Sequence, residues 1–159
     1  MMGARVESLA KLERKLKRLA EIRGPVRAKV RQALEQTGAS VTGQMKAVVP
    51  SRTGALRASI KVVFGDYAPD NANVRGVGGS GRGDPDLTMR IVAGDKNAFY
   101  ARFVEFGTAA HVAGGKFAGA DHPGAAPQPF FFPVWRVNRR PAKARMTRAM
   151  KAGIKEAVI

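Results

Sequence analysis

The sequence predicts an α+β domain, with helices at both ends and a small, mostly antiparallel sheet between them. Three observations carry this expectation. Apolar residues recur at spacings of three and four towards both termini, two short central stretches alternate with period two, and glycine, proline, asparagine and aspartate gather between these segments. With 159 residues, 45% of them hydrophobic, the chain suits one domain spanning 1–159 that can bury a real core.

Residues 4–23 read as a helix. Val6, Leu9, Leu12, Leu16, Leu19 and Ile22 form one apolar stripe, and Arg14, Lys15, Lys17 and Arg18 occupy the opposite face. Residues 1–24 are therefore set apart as an N-terminal basic amphipathic helix ahead of a main unit, 25–159. Gly24-Pro25 punctuates, and Pro25 suits the first turn of a second helix. That helix carries Val30, Leu34, Val41, Met45 and Val48, and is weakened at Gly38 and Gly43 by roughly 1 kcal/mol each relative to alanine. Val49-Pro50 ends it, because proline pushes the preceding residue towards extended geometry. A turn over 51–54 leads to a strand at 59–64, with Ile60, Val62 and Phe64 on one face.

Residues 65–86 form a long polar loop, expected as a hairpin-like extension or tongue. Gly76, Gly78 and Gly81 have the spacing of a dinucleotide-binding turn, but no strand precedes them and no helix follows, so that reading is rejected. A second strand at 87–93 places Leu87, Met89 and Ile91 on one face. In the stretch 99–108, Phe99, Phe103 and Phe106 sit at i, i+4 and i+7. This predicts a short helix that packs its phenylalanines inward and ends at Gly107 in a left-handed cap. Glu105 lies three residues from Arg102 and has three structural readings: a partner for Arg102, for a backbone amide, or for a neighbouring subunit. An irregular segment over 109–128 leads to a second aromatic run at 129–135. A closing helix begins at Pro133, kinked or restarted near Arg139-Arg140 by Pro141.

Lys and Arg number 28 against 12 Asp and Glu, a net charge of +16. That exceeds the roughly 2–8 charges usual for a small domain and points to a polyanion nearby. The piece 136–159 holds eight basic residues and one acid, Glu156. Arg136, Arg139, Arg140, Lys143 and Arg145 are its candidates for DNA contact. A nonspecific nucleic-acid-binding protein is accordingly one functional reading.

Catalytic chemistry finds little support. The absence of cysteine excludes disulfides, thiolate metal sites and a cysteine nucleophile. His111 and His122 have ten residues between them and too few companion ligands for a metal site, so neither metal nor cofactor is expected. Glu105 is the lone acid of the aromatic stretch, where a glycosidase would need a second carboxylate across a cleft. No serine sits in a strand–turn–helix nucleophile context and no phosphate-binding loop ends in Gly-Lys-Ser/Thr. The expectation is therefore no enzyme, no membrane span and no secretory signal.

Three ordered segments carry a resemblance. They are 49–60, with Pro50, Thr53, Gly54 and Leu56; 100–108, with Tyr100, Glu105, Phe106, Gly107 and Thr108; and 128–133, with Pro129, Phe130 and Pro133. Together they resemble the small head–tail joining, or tail-completion, proteins of long-tailed bacteriophages and related particles. The resemblance covers about 25–158, making 25–159 the head–tail joining domain. Arg52 stands where such proteins often have aspartate, and 65–86 and 109–127 are longer than usual, suggesting loops that reach a neighbouring subunit or ring. The resemblance implies a structural virion protein of the neck, made in the host cytoplasm and assembled with itself as a hexameric ring around the DNA path. Its implied neighbours are a head-side connector or stopper and a tail terminator or tail-tube protein, with nonspecific contact to packaged DNA.

Overall fold

The computed structural model of the chain describes residues 3–67, 75–78 and 84–158. Helix α1 (Gly3–Val48) runs for 46 residues and α4 (Phe132–Val158) for 27. Between them lie a short helix α2 (Ala55–Ser59), strands β1 (Lys61–Phe64), β2 (Arg75–Gly78) and β3 (Met89–Ala93), helix α3 (Ala101–Phe106), and the strand pair β4 (His111–Val112) and β5 (Asp121–His122). The sheet β1-β3-β2 is antiparallel throughout, with Val62 opposite Ile91 on one side of β3 and Val77 opposite it on the other. The α+β expectation holds.

Four expectations need correction. Residues 4–23 and 25–48 are not two helices, because α1 passes through Pro25 without a break. Proline forfeits one backbone hydrogen bond there, and α4, packed alongside at Val26, holds the flanking turns in line. Pro141 likewise lies inside an unbroken α4. The first strand starts late, because 55–59 close into a helical turn: Ser59 Oγ donates to the Leu56 carbonyl at 2.8 Å and accepts from Gly94 N–H at 3.0 Å. The long segment 65–86 contributes β2 to the sheet, and 109–128 contains a small hairpin. Gly76 and Gly78 belong to that strand; Gly81, and the side-chain packing of the stripe from Val6 to Ile22, lie outside the described residues.

α1 and α4 pack antiparallel, in a register marked by three side-chain links. Asn138 Nδ2 donates to Gln44 Oε1 at 2.8 Å, Arg145 Nη1 to Thr37 Oγ1 at 3.1 Å, and Lys29 Nζ lies 3.0 Å from Glu156 Oε2. At Gly153 the two helices come close: a Cβ there would lie 2.5 Å from Val26 Cα. Gly153→Leu is expected to cost about 3 kcal/mol and to lower the melting temperature by roughly 6–12 °C. Gly43→Ala, a substitution into open space on α1, should instead raise it by a few degrees, about 1 kcal/mol of helix propensity. Thermal melts of the two variants check the pair.

The core joins Val41, Met45 and Val49 of α1 to Leu56, Ile60, Ile91, Ala98, Ala101, Phe130 and Phe131. Further along the same face of the sheet, a charged cluster ties α1 to the turn Pro85–Leu87. Arg27 bonds both Asp84 and Asp86, and Arg31 donates to the Asp86 carbonyl at 2.9 Å while stacking 3.6 Å over the Phe64 ring. Hydrogen bonds to Asp86 and then Asp84 raise the Arg27 pKa above its ordinary value, so its charge is retained at every working pH.

Candidate functional site

The three ordered segments converge in space, the first through core packing of Leu56 and Ile60, and the second and third through Glu105. Its side chain is 5% exposed. One carboxylate oxygen, Oε2, accepts from the backbone N–H groups of Phe130 (2.8 Å) and Phe131 (2.9 Å), and Oε1 accepts from Phe132 (2.9 Å). These are the unpaired donors at the start of α4, since the Phe131 carbonyl already accepts the first helical bond from Trp135. Pro133 has no N–H, so it leaves no donor stranded at the next position. α4 has no acid in its own first turn, so the negative charge that suits a helix N-terminus comes from α3, 25 residues earlier in the chain. Of the three readings for Glu105, the backbone amide is the one observed. Arg102 is exposed and makes no ion pair with it.

This clamp reverses the expected face of α3. Ala98, Ala101 and Glu105 face inward, the two alanines allowing the helix to sit close to Phe130 and Phe131. Phe99, Phe103 and Phe106 consequently face out, at 53%, 42% and 58% exposure. The apolar period is helical as predicted, but its aromatic side is not the core side. Burying a carboxylate against three amides outweighs burying an aromatic ring here, because those amides would otherwise be buried unpaired.

Further backbone bonds draw the segments together. Gln128 N–H donates to the Val104 carbonyl at 2.8 Å, and Thr108 and Ala125 exchange bonds of 2.9 and 3.1 Å. Gly107 ends α3 at φ 70°, ψ −177°, with Ala125 and Pro127 against its open side. Gly54, at φ 79°, turns the chain into α2. Leu56 and Phe130 are buried, Pro50 and Tyr100 are half-buried, and Thr53, Pro129 and Pro133 are exposed. Pro50, Thr53, Leu56, Tyr100, Thr108 and Gln128 line a cleft of about 270 Å³ whose shared wall is Phe103. Beyond Phe103, an open groove of about 1070 Å³ runs past Phe106 and Phe132 to His111 and His122. Those two imidazoles stack across β4 and β5, their centroids 4.9 Å apart. Among the described residues no group of three or more His, Asp or Glu side chains is placed to hold a metal ion.

The basic candidates separate. Arg136, Arg139, Arg140 and Lys143 are exposed on α4, whereas Arg145 turns towards α1 and bonds Thr37. Lys151 and Lys155, exposed and in helical step with Arg136, Arg140 and Lys143, extend the run to about 28 Å on the side of α4 away from α1. Their three- and four-residue spacing was visible in the sequence; which side of α4 packs on α1 was not. No helix among the described residues is long and apolar enough to cross a membrane.

Comparison with known families finds one matching family model, "Bacteriophage HK97-gp10, putative tail-component", over residues 10–107, more than half of the chain. The match takes in α1 through Gly107, and so two of the three converging segments. No curated protein and no solved structure matches.

Proposed function

The chain belongs to the HK97-gp10-like family of bacteriophage tail components, and from that premise we propose that it completes the tail and joins it to the head, as a homo-oligomeric ring in the neck around the DNA path. Family membership makes it a structural component of the virion tail. The observation that carries the finer reading is the Glu105 clamp. It locks the start of α4 onto α3, beside the buried Leu56 of the first segment, and leaves an aromatic face on α3 uncovered, as a subunit built to be covered by neighbours would. A hexamer is the proposed ring. A head-side connector or stopper and a tail terminator or tail-tube protein are its proposed neighbours. Residues 25–159 form the joining domain in this reading. In support, α4 runs out close to Val26 and Lys29, so that the first turns of α1, from Gly3, extend past its end.

The exposed α4 run supports a DNA-facing lumen lined by Arg136, Arg139, Arg140 and Lys143, with Lys151 and Lys155. It also favours the second reading, nonspecific nucleic-acid binding, and a salt titration on duplex DNA separates the two. A dedicated binder loses affinity with a log–log slope of about −0.9 per phosphate neutralised, and each lysine or arginine removed from the run flattens that slope by about 0.9. A ring subunit binds weakly as a free chain and associates with neck and tail proteins instead. The proposal itself is tested by particles assembled without this protein. Heads and tails should accumulate unjoined; normal joining and infectivity would refute the neck assignment.

A further inference from the structure

Residues 109–124 form an arm that its own chain leaves uncovered. Strands β4 and β5 pair at its base, and the turn Gly115–Phe117 closes its tip. Inside it, Ala113 N–H donates to Ala120 O at 2.8 Å, Gly119 N–H to Ala113 O at 3.1 Å, and Ala120 N–H to Phe117 O at 3.0 Å. Every residue from 114 to 120 is exposed, and a Cβ added to Gly114, Gly115 or Gly119 would meet no atom within 4 Å. Phe117, at the tip, is 73% exposed, more than any other aromatic side chain among the described residues. A hydrogen-bonded frame that presents a bare phenyl ring to water is a knob with no hole in its own chain.

A hole of matching size lies at the other end of the arm. Thr108 and Ala125, the arm's root, are on the rim of the 270 Å³ cleft walled by Leu56, Tyr100 and Phe103. Cavities of roughly 150 Å³ already accept a benzene ring. Charge agrees as well. Asp121 is the one acid of 109–128, Arg52 stands on the cleft rim, and neither makes an ion pair among the described residues. Because knob and hole are different surfaces, successive contacts propagate from copy to copy, the head-to-tail kind of contact from which rings are built when the rotation between copies closes.

We propose that the partner at this cleft is a second copy of the chain, whose arm inserts Phe117 beside Phe103 and sets Asp121 towards Arg52. This inference rests on the ring reading and names its subunit contact. The test replaces Phe117 with the photo-crosslinking amino acid p-benzoylphenylalanine in assembled particles. Irradiation is expected to join position 117 of one copy to peptides within 50–56 or 100–108 of another, in a ladder of multiples of the chain mass. Phe117→Asp should leave the melting temperature nearly unmoved, since the side chain is largely exposed, yet abolish the ladder and lower infectious yield by about tenfold or more. Phe117→Tyr should retain both. A chain present in the particles but linking from position 117 only to a different protein, to other regions of a second copy, or to nothing overturns the arm-to-cleft contact and leaves the tail assignment standing. A chain absent from purified particles overturns the tail assignment, and this contact with it.

Discussion

Glu105→Gln is expected to lower the melting temperature by roughly 6–12 °C, the equivalent of about 3 kcal/mol. The substitution keeps the side chain's shape, so it opens no cavity. What changes is the match at the start of α4. Two carboxylate oxygens accept three N–H groups, and an amide offers one oxygen and turns an NH2 group towards donors. At least one buried N–H is then left without a partner, and the charge that complements the helix N-terminus is gone. Amide hydrogen exchange at Phe130, Phe131 and Phe132 should accelerate ahead of the rest of α4. Arg102→Ala is the control. Its side chain is exposed and makes no bond to Glu105, so its melting temperature should stay within about 2 °C of the parent. Equal losses in the two variants would mean that Glu105 acts through Arg102 and not through the helix.

Gly107→Ala should be worse, about 4 kcal/mol or a fall of roughly 8–16 °C, with much of the protein insoluble at the upper end. Two costs add. At φ 70°, ψ −177° the backbone occupies a region open in practice to glycine alone. The new Cβ would also stand 2.5 Å from the Ala125 carbonyl oxygen and 2.9 Å from Pro127 N, backbone atoms that cannot swing aside. Gly54→Ala separates the two costs. Its φ is 79° but its surroundings are open, so it should lose only about 1–2 kcal/mol. If the two alanine variants melt together, the close approach at Gly107 is not what requires glycine there.

The period of the apolar residues in the sequence located α1, β1, β3, α3 and α4, because each presents one face to a core and the others to water. Which face is buried was legible only where one side was unambiguously polar. α3 failed that condition: phenylalanine on one side competed with two alanines and a glutamate on the other, and the deciding partner, the start of α4, lies 25 residues on. The continuity of α1 through Pro25 was equally out of view, since a lost hydrogen bond is a local cost and the support from α4 arises more than 100 residues later. β2 escaped because Gly76 and Gly78 carry no side chains to alternate; its evidence is its pairing with β3. The converging segments could be named from the sequence by resemblance. The bonds that tie the second segment to the third could only be offered as one of three readings for Glu105.

The antiparallel pairing of the first and last helices also bears on synthesis. Thr37 meets Arg145 across 108 positions and Gln44 meets Asn138 across 94. A ribosome has therefore made the whole of α1 and the sheet before the residues that cover them exist. Val41 and Met45 must wait for Phe130 and Phe131, and the latter pair is set in place only when Glu105 finds the amides beside it. The core thus closes only once α4 has been made, through contacts distant in sequence, which slows folding. Until then each nascent subunit displays the face of α1 that α4 comes to cover. Control over when the 27 residues of α4 dock is thereby control over when subunits become fit to meet one another.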